Sequence, residues 1–206
     1  MIAIIDYGAG NLGSVEKAFK FIGYKAMVSA DREFILNADG VVLPGVGAFA
    51  DAMNSLESCG MVELVKECAL SGKPFLGICL GMQLLFEYSS EGGCRVPGLG
   101  VLGGEIKRFP ACLGLKVPQV GWNRLKTREN SILFKGMSRE PYVYFVHSYY
   151  LDASDKSIVS ATAGYGVEFD AAFESGSIFA VQFHPEKSGD VGLGILKNWA
   201  SLTGRE

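Results

Sequence analysis

The sequence lacks the patterns that mark several large functional classes. Only two histidines occur in 206 residues, and the five cysteines show neither Cys-x-x-Cys spacing nor clustered histidine partners. That pattern argues against a disulfide framework and against a zinc site, and no metal or cofactor is expected. Lysines and arginines are scattered and the formal net charge is −3, so the basic footprint of a nucleic-acid binder is missing. Residues Met1 to Asp6 have no basic n-region, and their apolar run is too short for a signal peptide. No run of about 18 apolar residues offers a membrane span. Repeats, low-complexity tracts and linkers are missing too. The expectation is a reduced, soluble, cytoplasmic protein with no nucleic-acid or membrane partner. With 49% hydrophobic and 20% charged residues, one compact domain covering residues 1–206 can bury around 70% of its unfolded surface.

What is present is an alternation of short apolar runs and helical spacings. Ile2 to Ile5 reads as a buried strand that ends in the turn Asp6-Tyr7-Gly8-Ala9-Gly10. Ser14 to Ile22 places Val15, Ala18, Phe19 and Ile22 on one helical face, with Gly23 as C-cap. Ala26 to Val28 and Val41 to Leu43 are further strands, and Phe49 to Leu56 and Met61 to Leu70 are helices. Pro74 to Ile78 is another buried strand, followed by a helix from Leu80 to Glu87. Such alternation predicts an α/β fold with a mostly parallel central sheet flanked by helices. After about residue 95 the rhythm changes. Tyr142 to Tyr150, Ile158 to Thr162, Phe169 to Phe173 and Ile178 to Phe183 are spaced like hairpins, predicting an antiparallel extension, and an amphipathic helix from Val191 to Leu202 closes the chain.

Gly77-Ile78-Cys79-Leu80-Gly81 lies between an apolar strand and a helix. It is the cysteine form of the nucleophile elbow, in which the reactive residue occupies a sharp, strained turn. Side chains two positions either side of Cys79 would collide with neighbouring backbone, so glycine is needed at both places. The Leu80 amide and the helix start face the sulfur, favouring thiolate and offering a donor to an oxyanion. A buried structural cysteine between incidental glycines is the bland alternative; the strand-before, helix-after setting favours the functional one. Cys59, Cys68, Cys94 and Cys112 lack that setting and read as core or incidental residues.

Of the two histidines, His184 follows an apolar strand and precedes Pro185 and Glu186. In extended backbone, residues two apart project to one side. Glu186 is thereby expected to reach the imidazole and fix its tautomer, leaving the other nitrogen for the thiol. His147 has no acidic residue two positions on and is expected to be structural or substrate-contacting. Leu43-Pro44-Gly45-Val46-Gly47 follows a strand and can turn backbone N–H groups of Val46 and Gly47 towards a ligand. A rival pattern, Gly8-Ala9-Gly10-Asn11-Leu12-Gly13, matches the dinucleotide fingerprint, and Asp31 lies 18 residues beyond Gly13, near the place of a ribose-binding acid.

Taken together, Gly77 to Gln83, the Pro-Gly-Val-Gly loop and Phe183-His184-Pro185-Glu186 resemble the class I (triad) glutamine amidotransferases, a flavodoxin-like fold. Asp6 to Leu12, Gly121-Trp122-Asn123, Tyr144 to Tyr149 and His184 to Ser188 are similar to the glutaminase subunits of imidazole glycerol phosphate synthases within that family. The resemblance implies L-glutamine as substrate, with Cys79, His184 and Glu186 as triad and Val46, Gly47 and Leu80 around the oxyanion. It implies Gln83, Glu91 and the backbone of His147 and Ser148 as holders of the glutamine head group. It further implies ammonia transfer to a (β/α)8-barrel cyclase subunit as heterodimer partner, with Asn11, Trp122, Asn123, Tyr144 and Lys187 on the interface side. Gln119 stands where such relatives often carry histidine. Two other functions fit parts of the pattern: a glutaminase of another pathway or stand-alone thiol hydrolase, and a nucleotide-binding module.

Overall fold

The computed structural model describes residues 1–111 and 114–204; Cys112 lies outside the described residues. The first half runs β1 (Ile2–Ile5), α1 (Leu12–Phe21), β2 (Ala26–Ser29), α2 (Arg32–Asn37), β3 (Gly40–Gly45), α3 (Phe49–Ser58), α4 (Val62–Leu70), β4 (Phe75–Cys79) and α5 (Leu80–Gln83). The second half runs β5 (Phe86–Ser89), β6 (Val96–Pro97), β7 (Leu102–Arg108), β8 (Gln119–Thr127), β9 (Tyr142–His147), β10 (Tyr149–Ala153), β11 (Val159–Tyr165), β12 (Val167–Ser175), β13 (Ile178–Val181) and α6 (Gly189–Ala200).

Strand order is β2-β1-β3-β4-β13, all parallel, continued by β12-β10-β7-β5-β6, with β11, β8 and β9 branching from β12. Residues of the parallel strands alternate between two apolar layers. Ala3, Ile5, Val41 and Leu43 face α3 and α4, whereas Ile2, Ile4, Val42, Leu76 and Ile78 face α1 and α6. Trp199 of α6 is fully buried against Phe19 of α1, ring centroids 5.6 Å apart; burial of each such ring is worth roughly 1.5–3 kcal/mol. Helix α1 ends where the sequence places it. Gly23, at φ 87°, closes a Schellman turn in which its N–H and that of Tyr24 reach the Lys20 and Phe19 carbonyls.

The element after Cys79 departs from expectation. The helix after Cys79 is a single turn rather than a run to Glu87, and β5 begins at Phe86. The Leu99, Val101, Gly100 and Gly98 amides bond to the carbonyls of Leu84, Leu85, Phe86 and Glu87, which ties the chain after α5 to the 98–101 segment. A Cβ on Gly98 would lie 2.3 Å from the Phe86 oxygen. A glycine-dependent loop thus competes successfully for the backbone that helical spacing had assigned to α5.

The two glycine patterns also separate here. A Cβ on Gly81 would lie 1.9 Å from the Leu43 carbonyl oxygen, and one on Gly77 2.9 Å from the Met82 Cα, so both elbow glycines are sterically required. Gly13, the last glycine of the fingerprint-like pattern, has nothing within 4 Å of an added Cβ. Asp31 caps α2, its carboxylate accepting from the Phe34 amide at 2.7 Å. Gly81→Ala is therefore expected to cost about 4 kcal/mol or more, while Gly13→Ala at an exposed helical site is neutral or stabilising by up to about 1 kcal/mol. Urea midpoints of the two variants check both statements; equal midpoints would contradict the close contact at the elbow.

Candidate active site

The parallel ladder sets the site. Gly45 pairs with Cys79 across β3 and β4, and Val181 pairs with Ile78 across β13 and β4. The carboxyl ends of three neighbouring strands therefore deliver the Pro44–Gly47 loop, Cys79 and His184 to one edge, the ordinary place for ligands in such sheets. Cys79 has φ 55° and ψ −111°, a left-handed conformation that a non-glycine residue adopts only when its surroundings enforce it. The residue is 6% exposed.

His184 is buried, and its Nδ1 lies 2.8 Å from Glu186 Oε1. The two residues meet by a route other than the extended backbone expected. His184 itself is extended, but Pro185–Lys187 forms a 3-10 turn, with the Lys187 N–H on the His184 carbonyl at 3.0 Å. Proline presets φ for the first helical position, so the turn curls Glu186 back under the ring. Ser188 fastens it: its hydroxyl donates to the His184 carbonyl at 2.6 Å and accepts from the Tyr144 amide at 2.9 Å. The His184 amide in turn donates to the Tyr144 carbonyl at 2.9 Å. Gly192 completes the packing, since a Cβ there would lie 1.9 Å from the Pro185 oxygen.

The remaining ring nitrogen, Nε2, is buried and finds no hydrogen bond of full geometry in the structure. The Cys79 sulfur is its close neighbour. Burial works against an imidazolium, but hydrogen bonding and charge from Cys79 and Glu186 outweigh it and raise His184 to about 10. The arrangement thus favours an imidazolium beside the Cys79 sulfur. Gln182, fully buried two residues before His184, donates from its amide to Cys79 Sγ at 3.8 Å and accepts from the Gln83 amide at 2.8 Å. Gln83 also donates to the Tyr149 carbonyl at 3.1 Å. Sequence reading absorbed Gln182 into an apolar strand; a lone polar residue in such a run was the available signal.

A cavity of about 240 Å³ opens over the sulfur, lined by Val46, Gly47, Leu80, Gln83, Glu91 and the 146–149 segment. The Glu91 carboxylate accepts from the Phe49 amide at the start of α3 at 2.5 Å. His147 is held in an aromatic setting of Phe109, Phe145 and Phe169, with Nδ1 on the Tyr149 carbonyl at 2.8 Å. Burial pushes it down to about 4, so the ring is neutral and unsuited to act as a base. Its other nitrogen, Nε2, lies 3.1 Å from Gln119 Oε1. Gln119 is itself buried: it supports His147 from inside rather than facing an interface. A larger hollow of about 480 Å³, lined in part by Met1, Tyr24 and Thr203, sits at the opposite, amino ends of β1 and β2 and contains neither Cys79 nor His184.

The remaining candidates lie outside the cavity. Trp122 and Tyr144 face each other across β8 and β9, ring centroids 6.2 Å apart, and Trp122 is 56% exposed. Lys187 is exposed on the turn beyond His184, and Gly189 packs near the Trp122 ring. Asn123 donates to the Gly164 carbonyl at 2.9 Å, and Asn11 accepts from Ser14 Oγ at 3.0 Å. Among the described residues no helix is long and apolar enough to cross a membrane.

The pair has a pH signature. Because the folded His184 value lies above the ordinary 6.5, its contribution to stability is full below about pH 6.5 and is lost as pH rises through about 10. In Cys79→Ala one of the two raising partners is gone, so the His184 ring should titrate below about 10. An NMR titration of its Hε1 signal checks this; an unchanged value in the variant would contradict the coupling.

A model of the family described as Glutamine amidotransferase class-I matches residues 3–200. A protein of Caldanaerobacter subterraneus subsp. tengcongensis named imidazole glycerol phosphate synthase subunit HisH is 50% identical over 202 residues, covering 98% of each chain. One of the same name from Moorella thermoacetica is 51% identical over 201 residues, covering 98% of this chain and 94% of its own. Among solved structures, a glutamine amidotransferase superposes with TM-score 0.75 at 19% identity over the whole of both chains. PurLQS from Thermotoga maritima gives 0.74 at 18%, over 97% of both chains. At those identities the structures speak for the fold, and the flavodoxin-like arrangement agrees with them. On the family match and the half-identical relatives, the chain belongs to the class I glutamine amidotransferases.

Proposed function

We propose that the chain, as one domain, is the glutaminase subunit of an imidazole glycerol phosphate synthase. It hydrolyses L-glutamine to glutamate and passes the ammonia to a (β/α)8-barrel cyclase subunit in histidine biosynthesis. The observation that carries the chemistry is the Cys79–His184–Glu186 arrangement at the carboxyl edge of three adjacent parallel strands. The relatives' shared name supports the pathway.

In this reading the Cys79 thiolate attacks the side-chain amide carbon of glutamine. The negative charge that develops on the amide oxygen is met by the Leu80 amide and by N–H groups of the Val46–Gly47 loop. The His184 imidazolium gives its proton to the departing nitrogen, ammonia leaves, and a glutamyl thioester remains on Cys79. Neutral His184 then draws a proton from water, which attacks the thioester; glutamate departs and the thiolate returns. Glu186 holds Nδ1–H throughout and keeps Nε2 aimed at the sulfur. Gln83, Glu91 and the backbone of His147 and Ser148 hold the amino-acid end of the substrate. Gln182, through its contacts with both Cys79 and Gln83, links the nucleophile to that binding region.

The partner reading rests on the β8–β9 ribbon. Val120, Trp122, Tyr142 and Tyr144 lie on its outer face, and three of them are more than half exposed at 60%, 56% and 55% for Val120, Trp122 and Tyr142. That mostly apolar face begins beside the cavity mouth at Val146 and Pro118 and ends at the exposed Arg124 opposite Tyr142. It is suited to an apolar partner surface that shields ammonia from water. Asn11 and Asn123 flank it in the reading.

With the barrel subunit present, Cys79→Ala should abolish glutamate release. Glu186→Gln should lower kcat by about a hundredfold or more with glutamine KM little changed. Coupled glutamate assays decide; full turnover by Cys79→Ala would rule the mechanism out. Trp122→Ala should weaken co-elution with the barrel subunit on size exclusion, and unchanged co-elution would remove the ribbon from the interface.

A further inference from the structure

Tyr7 is the most buried titratable group that the mechanism leaves unused. It follows β1 in the turn that carries the fingerprint-like glycines, and its side chain is 1% exposed. Its hydroxyl donates to the Pro44 carbonyl at 3.0 Å. A Cβ built on Gly45 would lie 2.7 Å from that hydroxyl oxygen, 2.8 Å from the Gly81 nitrogen and 2.9 Å from the Leu80 Cβ. The phenol, the last residue of β3 and the first turn after the nucleophile are therefore in mutual contact, with no room for a methyl group between them. Beyond Gly45 the support ends: Val46 is 42% exposed and Gly47 sits at φ 104° with open space around it.

We propose that Tyr7 is a positioning residue for the oxyanion site. Its hydroxyl pins the Pro44 carbonyl, and so sets the distance between the Val46–Gly47 amides and the Leu80 amide. This rests on the glutaminase reading above, because the two sets of amides matter together only if an oxyanion forms between them. The geometry explains why a rigid aromatic is used. The ring is locked by packing on β1, and only its para oxygen reaches β3, so the loop inherits the stiffness of the sheet core. Burial, and secondarily the charge of Cys79, push the phenol far above its ordinary range, so it remains a donor at every pH at which the enzyme works. It also gives the Gly8–Gly10 turn a role other than nucleotide binding: glycine at φ 85° and φ 118° folds the chain tightly behind Pro44, whose ring a Cβ on Gly10 would approach at 3.6 Å.

The test is Tyr7→Phe in the full chain, assayed for glutamine hydrolysis with the barrel subunit present. Phenylalanine keeps the ring and removes only the donor. Displacement of one half of an oxyanion site by a fraction of an ångström should lower kcat by about ten- to a hundredfold, with KM within about twofold. Alkylation of Cys79 by iodoacetamide, which develops no oxyanion, should proceed at the unsubstituted rate, and the melting temperature should stay within a few degrees. A glutamine-derived aldehyde, which forms a tetrahedral adduct on Cys79, should bind the variant about tenfold more weakly. Unchanged kcat and unchanged aldehyde affinity would overturn the proposal. So would a collapse of melting temperature and alkylation rate together with kcat, which would make the hydroxyl an anchor of the whole fold. If the unsubstituted chain with its partner releases no glutamate, the glutaminase reading fails and this inference falls with it. Turnover by the unsubstituted chain equalled by Tyr7→Phe overturns this inference alone.

Discussion

The contact between Gly81 and the Leu43 carbonyl constrains everything around it. A hydrogen at the Gly81 Cα is all that fits against β3, so the chain leaving β4 must turn sharply while still touching its neighbour strand. Cys79 takes up the strain with φ 55°, and the sulfur is left at the carboxyl edge instead of being buried in the next helix. The parallel register then fixes what it meets: Gly45 on one side through β3 and, on the other, the segment after Val181 through β13. That residues 79 and 184 meet is a consequence of backbone ladder geometry, with side chains adding the final alignment.

That alignment is electrostatic as well as steric. His184 loses solvation on burial and regains stabilisation from a carboxylate on one nitrogen and a sulfur near the other. A buried charge is tolerated only when such partners exist. The second layer of contacts is equally specific. Ser188 ties the histidine turn to β9, and Gln182 bridges Cys79 and Gln83. His147, although lining the same cavity, is kept neutral by an aromatic setting and by Gln119. Two histidines lining one cavity are thus shifted in opposite directions, because one has a carboxylate and a sulfur as partners and the other is buried among rings.

Much of this was legible in residue order, and the exceptions have physical causes. The elbow could be read because its punctuation is local: glycine, cysteine and glycine between a strand and a helix specify a turn by themselves. The parallel half of the sheet followed from apolar runs of strand length between helical spacings. The length of α5 was misread because Leu84, Leu85 and Phe86 are as compatible with a buried strand as with a helix, and the choice is made by the 98–102 loop, a tertiary competitor. His184 and Glu186 were paired correctly for a different geometric reason, since proline here starts a 3-10 turn rather than extending a strand. Gln182 and Ser188 were missed because their importance comes from β13 lying beside β4 and the histidine turn lying against β9, which no local window contains.

The central claim is that amide cleavage proceeds through a covalent bond to one sulfur. Acid quenching during glutamine turnover with the barrel subunit, followed by peptide mass spectrometry, tests it directly. The account predicts a glutamyl group on the peptide bearing Cys79 and on none bearing Cys59, Cys68, Cys94 or Cys112. Glutamate release with no such adduct at any quench time, or with the adduct on another cysteine, would contradict it.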